Sequence, residues 1–524
     1  MILTDLLTGA RARRSQVLSS RSCIFQIVHG LKDAQLVDQS RNSSSQVLPR
    51  PRRNWDNVYT ITYYQRPHDS SADPKGADAD QETDAPIATN QIQSILEQKW
   101  ESLESLADKI QDPGSAVVCD LLMIIGILHT ALVHLPRLNG NEHFDESLVS
   151  EFYGLTMAAD NWKSSKLSAK ALRQLSDVLA VASGAESLWS SAVADTCPYL
   201  LSFEVRRRLL VCRAFGIART LHYLQDAADS SRGGGVLGMG ATSASRRGAR
   251  VARLQRKKVR VARDRILESA ALIASMTGES RAVLEIEFYG EVGTGLGPTL
   301  EFYSLTAQAF LDDSMAMWAN SRVNGLFPRP YSRDSSAIEA VLERFRLLGR
   351  LSARAMLDSR LLDVPMSEPL LRAAFLGEDL DLFHVQAIDP ELYKTISKMQ
   401  SMILNNTFQL DGVELEDLGL SFTVPGYVDC ELKENGAECT VTKDNFAEYV
   451  ALLVDHLVGV GVERQVSALR EGFRVVLPEA EHALKAFSAS EIDLLLRGEA
   501  AMFPWDRESL LEALKFDHGY NTNR

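Results

Sequence analysis

The chain has 524 residues, of which 45% are hydrophobic and 24% charged, and a formal net charge of −13. That length exceeds one ordinary core and predicts about two to four domains, and the acidic balance excludes a protein that coats nucleic acid over its whole surface while leaving local basic patches open. Six cysteines, at 23, 119, 197, 212, 430 and 439, are too scattered for a disulfide framework and form no C-x-x-C pair, which predicts a reducing compartment, cytoplasmic and/or nuclear, and no metal or cofactor.

In chain order, "MILTDLLTGARARRSQ" places its arginines after a short apolar start, the reverse of a secretory signal. The segment "RPHDSSADPKGADADQETDAP" (66–86) has almost nothing to bury, so residues 1–91 are expected to be disordered. From Ile92 the pattern changes: Ile92, Leu96, Trp100, Leu103, Leu106 and Ile110 recur at helical steps and open a helical region, 92–228. The most apolar stretch, 117–135, is interrupted by Asp120, His129 and His134, and predicts a buried helix rather than a membrane span. Residues 229–263 read as a linker, first rich in Gly and Ser and then basic, with ten Lys or Arg against one acid between Arg246 and Arg265. A solvated linker, a nuclear-import address and a nucleic-acid patch all fit that charge run, in that order, because no aromatic residue is interleaved for base stacking.

Residues 264–524 alternate helical and strand-like patterns, the signature of an α+β, mainly helical fold. "RAVLEIEF", "GLSFTVPGY" and "ECTVT" predict strands; "PTLEFYSLTAQAFL", "AIEAVLERFRLLGRLSARAML" and "KDNFAEYVALLVDHLVG" predict helices. Between the first strand and the first helix, "EFYGEVGTGLGPTLEFY" carries glycines at 290, 293, 295 and 297. The spacing fits neither a dinucleotide fingerprint nor a P-loop, whose lysine is missing. It predicts a tight turn from strand into helix, with the helix held close to its neighbour.

That string, in its order with "FRLLGRLSARAMLDSRLLDVPMSEPL", "LEDLGLSFTVPGY", "VTKDNFAEYV", "GVERQVSALREGF" and "LLRGE", resembles the N-terminal lobe of the HECT-type ubiquitin ligases over residues 284–520. Upstream, "SSKLSAKALRQLSD", "TCPYLLSFEVRR" and "LQRKKVRVARDRILESA" are similar to the segment before that domain in the ubiquitin-fusion-degradation branch. The resemblance implies a large helical subdomain and a small α/β subdomain, about 390–465, that docks a ubiquitin-charged conjugating enzyme. Residue by residue, it assigns the docking groove to Leu392 and Ile396, Leu418 and Leu420, and Tyr449 and Leu453. The 392/396 and 449/453 pairs share a helical face by their spacing, and periodicity by itself favours all six facing the core; the resemblance favours the groove instead, most of all for Tyr449 and Leu453. The resemblance also implies a separate cysteine-bearing lobe, so the transfer nucleophile is expected beyond Arg524. Either a truncated reading frame or a non-catalytic adaptor would then account for the chain. Cys430 and Cys439, flanked by acids, are not expected to replace the nucleophile. Substrate and chain linkage are not encoded in these patterns.

Overall fold

A computed structural model describes most of residues 162–233 and 254–498, together with His129 and Arg507. The expectations for 1–91, for the Ile92–Ile110 stripe, for 117–135 apart from helical His129, and for the Gly/Ser part of the linker lie outside the described residues. The chain divides into two units, 1–157 and 158–524, and all the described residues except His129 belong to the second.

Among the described residues this second unit opens with the helices α1 (Ser165–Leu175), α2 (Leu188–Thr196), α3 (Phe203–Ala214) and α4 (Ile217–Gly233). Ser164 caps α1 by accepting from the Leu167 amide. These helices do not stand apart from the rest. Leu210, Val211, Ala214 and Phe215 of α3 and its C-cap belong to the same continuous core as residues up to Leu496. Two buried arginines fix them there. Arg206 donates to both Glu491 oxygens at 2.6 Å and to the Ala486 carbonyl at 2.9 Å. Arg219 donates to Asp358 at 2.6 Å and to the Leu357 carbonyl at 2.5 Å.

Next come β1 (Arg256–Val261), α5 (Ile266–Thr277), β2 (Val283–Phe288) and α6 (Leu296–Phe310). The last part of the expected linker is therefore a strand, paired parallel with β2 from Arg256↔Val283 to Val261↔Phe288. Its period-two alternation, with Val259 and Val261 buried between outward Arg and Lys, was masked by the charge run. The glycine stretch is a turn. Gly290 and Gly295 have φ of +81° and +97°, which only glycine adopts without strain, whereas a side chain on Gly297 would meet nothing within 4 Å. The close packing expected of that glycine is thus not there. The strand and helix are tied instead by Thr299, whose Oγ1 accepts from the Ile286 amide at 3.0 Å and donates to the Gly295 carbonyl at 2.8 Å.

The body continues with α7 (Ile338–Leu357) and α8 (Glu368–Leu371), which runs into a π turn at Arg372–Leu376. The small subdomain then holds α9 (Leu382–Ile388), α10 (Pro390–Leu404), the two-residue pair β3 (Gln409–Leu410) and β4 (Val413–Glu414), the hairpin β5 (Thr423–Val424) and β6 (Tyr427–Glu431), and α11 (Phe446–Val458). "ECTVT" is not a regular strand; Thr440 makes a single bridge to Ser421, beside a 3-10 turn at Gly436–Glu438. The chain returns to the body as α12 (Glu463–Val476), α13 (Ala480–Leu484) and α14 (Ala489–Arg497).

Helices α7 and α12 approach until their backbones touch. A Cβ on Gly349 would collide with the Leu469 carbonyl and the Phe473 amide nitrogen, and one on Gly472 would collide with the Arg346 carbonyl. Neither neighbour is a flexible side chain, so the clash can be relieved only by separating two helices that both line the core.

Gly349→Ala is accordingly expected to cost about 3 kcal/mol or more in urea unfolding, and Gly297→Ala to stay within about 0.5 kcal/mol. Arg206→Ala should cost about 2–4 kcal/mol, below the full loss for a buried pair because Glu491 keeps 20% of its side chain exposed. Burial alone would raise the Glu491 pKa, but the Arg206 hydrogen bonds hold it below its ordinary value of 4.5. Its stabilisation is therefore complete above about pH 5 and lost as pH falls through the folded pKa, and Arg206→Ala should flatten that acid limb of the stability curve.

Candidate docking surface

The small subdomain is built around α10 and α11. Pro390 occupies the first turn of α10, and Asp389 caps it by accepting from the Glu391 and Leu392 amides at 3.2 and 3.0 Å. Leu392 therefore sits at a fixed helix start. The first turn of α11 is set by Asn445, which accepts from the Thr442 amide at 2.7 Å and donates to the Thr440 carbonyl at 3.1 Å.

Of the six residues assigned to the groove, the structure separates two sets. Ile396, Tyr449 and Leu453 are interior, at 0%, 1% and 0% exposure. Tyr449 stands edge-on against Phe422 at 5.5 Å, and its burial pushes its hydroxyl pKa up. Leu392, Leu418 and Leu420 are half-buried, packing on the core from its surface. Tyr449 and Leu453 thus share a buried face, as their spacing predicts, whereas Leu392 and Ile396 fall into different sets; packing decided that Ile396, Tyr449 and Leu453 point inward.

Leu418 and Leu420 flank Gly419, whose φ of +59° closes the 3-10 turn Leu415–Leu418. The turn is anchored by buried Leu415, whose amide donates to the Phe408 carbonyl at 2.9 Å. Leu420 is held from the other side, its carbonyl accepting from the Val441 amide at 2.8 Å. Phe422 is pinned next to it by amide bonds to the Gly436 and Cys439 carbonyls. Two leucines are thereby presented on a short corner held by backbone hydrogen bonds.

Sequence reading missed further apolar groups on this subdomain. Tyr393 and Phe408 are half-buried, and Leu404 and Val413 are exposed. Phe408 meets Phe446 edge-on at 6.3 Å. The apolar alternation of "NTFQLDGVELEDL" was the available signal.

The charge around this surface is one-sided. Between Asp411 and Glu448 the sequence carries ten acids, at 411, 414, 416, 417, 429, 431, 434, 438, 444 and 448, and two lysines, at 433 and 443. Lys433 is held by Glu448 at 2.9 Å and lies 3.7 Å over the Phe422 ring, so little free positive charge offsets the acids. The basic stretch near residue 256 behaves differently. Each of its described cations has a protein partner: Arg256 and Lys258 with Glu285, Lys258 and Arg260 with Glu287, Arg263 with Glu291 and Glu301, Arg265 with Glu268, and Lys257 with the Met276 carbonyl. A surface neutralised in this way has little to offer a phosphate backbone.

Four cysteines are described, and two of them are closed to solvent. Cys197 and Cys430 are buried, and Cys212 and Cys439 half-buried. Burial, reinforced by Asp429, pushes the Cys430 thiol up, away from the thiolate that nucleophilic attack requires. Among the described residues no helix is long and apolar enough to cross a membrane.

Residues 303–524 match the family described as HECT-domain (ubiquitin-transferase). The chain is 32% identical over 567 residues to the E3 ubiquitin-protein ligase UPL3 of Arabidopsis thaliana, covering 96% of this chain and 29% of that protein. It is 34% identical over 397 residues to the E3 ubiquitin-protein ligase TRIP12 of Danio rerio, covering 68% of this chain and 19% of the relative. With Ubiquitin fusion degradation protein 4 of Saccharomyces cerevisiae it shares 32% identity over 404 residues, 71% of this chain and 26% of the relative. The chain thus spans less than a third of each of these proteins. It belongs to the HECT-type ubiquitin-protein ligases, in the branch that contains the ubiquitin fusion degradation proteins.

Proposed function

We propose that this chain supplies the conjugating-enzyme-docking half of a HECT-type ubiquitin transferase that acts in protein ubiquitination and ubiquitin-dependent degradation. The observation that carries this reading is the corner formed by Leu418 and Leu420, two half-buried leucines on a hydrogen-bonded turn, backed by a closed core of Ile396, Tyr449 and Leu453. An apolar patch on a rigid support binds a partner loop without first ordering itself. In this reading Leu392, Leu418 and Leu420 touch the conjugating enzyme, whereas Ile396, Tyr449 and Leu453 act from beneath by holding them in place.

The acidic belt around the leucines favours a partner face rich in Lys and Arg and speeds its encounter. The described cysteines favour docking over acceptance, because Cys197 and Cys430 are buried and burial pushes the Cys430 thiol up. Transfer would then use a cysteine outside the described residues, or this chain would act as a non-catalytic adaptor for conjugating enzymes.

Binding titrations and non-reducing gels test this. In titrations with ubiquitin-charged conjugating enzymes, Leu418→Ala with Leu420→Ala should weaken binding about tenfold or more while leaving the unfolding midpoint within about 2 °C. Tyr449→Ala should weaken binding and lower the midpoint together; a loss of binding without any loss of stability would place Tyr449 in the interface itself. On non-reducing gels, any reducible ubiquitin adduct formed by this chain should survive Cys430→Ser and Cys439→Ser. An adduct abolished by either substitution would assign that cysteine a transfer role and overturn the docking reading.

A further inference from the structure

We infer that residues 316–332 form a strap that fixes the angle at which the small subdomain stands on the helical body, with Arg329 as its closing, positioning residue. The consequence for docking rests on the proposal that Leu392, Leu418 and Leu420 touch the conjugating enzyme; the strap geometry does not.

The small subdomain leaves the body at 377–381 and re-enters it at 459–462. Two tethers leave one rotation free, about the line that joins them. A third attachment off that line removes it, and the strap supplies one.

On the body side the strap is firmly seated. Trp318 donates its indole N–H to the Phe310 carbonyl at 2.7 Å and stands edge-on against Phe345 of α7 at 5.2 Å. Leu326 exchanges backbone hydrogen bonds with Pro365 and Ser367 at 2.7 and 2.9 Å. This seat needs Gly325, which has φ of +100° and where a Cβ would come within 2.9 Å of the Pro365 carbonyl. The strap closes on itself through Ala319 to Phe327 at 2.8 Å and Arg329 to Met317 at 2.9 Å.

Its other side grips the small subdomain in two places. Ser321 and Asn324 donate to the Ile388 and Ala387 carbonyls, at the end of α9, at 2.9 and 3.0 Å. At the β5–β6 hairpin, the Asn320 amide donates to the Tyr427 hydroxyl at 2.7 Å and the Glu431 amide donates to Ser332 Oγ at 2.9 Å. Arg329 completes the hairpin grip. One of its terminal nitrogens lies 2.6 Å from both Asp429 oxygens, and its guanidinium carbon lies 5.2 and 5.3 Å from the ring centres of Tyr331 and Tyr427. The Arg329 carbonyl in turn accepts from Gln465 of α12 at 2.9 Å, so the residue that holds the hairpin is itself held by the body.

Asp429 is 59% exposed, and an ion pair so open to water contributes little alone. Stacking on two tyrosines adds a second small contribution. A substitution at Arg329 therefore loosens the hairpin grip, which keeps its backbone and hydroxyl bonds, without unfolding either subdomain. Its importance lies in alignment, because transfer from a docked enzyme depends on where the thioester is held.

The test uses the full 524-residue chain as wild type, Arg329→Gln, Asp429→Asn, the double variant and Arg329→Lys. Probes are placed as unnatural amino acids at exposed Ala340 on α7 and exposed Gln400 on α10. Wild type should give one narrow inter-probe distance and Arg329→Gln a broadened one. Hydrogen exchange at the Asn320 and Glu431 amides should quicken about three- to tenfold in Arg329→Gln, while the buried amides of α10 and α11 stay unchanged. The double variant should add nothing to either single change, and Arg329→Lys, which keeps one cation within reach of Asp429, should recover part of the protection. Binding of the conjugating enzyme should stay within about twofold of wild type, since no docking leucine is touched. An unchanged distance distribution, or exchange that rises equally in α10 and α11, would overturn the strap. A wild-type chain that binds no charged conjugating enzyme would instead sink the docking reading and leave the distance result standing.

Discussion

The backbone contact between α7 and α12 is the constraint on which the rest of the second unit depends. Gly349 and Gly472 each face main chain across that interface, so the two helices lie as close as two helices can. Everything attached to them inherits that placement. The C-terminal end of α7 carries Arg354 and Asp358, and Asp358 gathers Arg219 of α4, Arg354 and the Leu284 amide of β2 onto one buried carboxylate. Arg354 directs its remaining donors to the Ser280 and Ala282 carbonyls before β2. These partners offset the desolvation of the Asp358 carboxylate, and removing that carboxylate would leave two buried arginines without it.

From the same helix pair the order passes to the docking subdomain. Phe345 of α7 seats Trp318, and Gln465 of α12 holds the Arg329 carbonyl. In the small subdomain Phe422, Tyr449, Leu453 and Ile396 are all at or below 1% exposure and belong to the core shared with the helical body, so its surface leucines rest on something rigid. Stiffness in the interior and a light grip at the boundary are compatible, because the first comes from burial and the second from a few exposed polar contacts.

Charge is handled locally rather than through the net value of −13. On the β1–β2 pair, alternating Lys and Arg are matched by Glu285 and Glu287 on the neighbouring strand, which neutralises a run that looks strongly basic in one dimension. A strand with outward lysines and arginines also resists pairing with another chain. The acids of the docking subdomain have no comparable set of cations, so the field is concentrated where a partner is proposed to arrive.

How much of the fold and the surface was legible in the sequence divides along physical lines. The helix starts and stops, the strand at 283–288, the glycine turn and the family resemblance depend on residues close in sequence, and periodicity and φ preferences reported them faithfully. The resemblance also supplied the proposed docking segment. By itself, then, the sequence determined the fold class, the family and the segments from which the surface is made. It did not determine that α3 and α4 share the core of the following lobe, that residues 256–261 pair as a strand, or that Gly349 matters more than Gly297. Each depends on a partner far along the chain: Glu491 for Arg206, Glu285 and Glu287 for the basic run, and Leu469 for Gly349. For the same reason only the tertiary structure decided that Tyr449 and Leu453 face inward while Leu418 and Leu420 lie at the surface. A helical period says which residues share a face, and what that face meets is fixed by the elements folded against it.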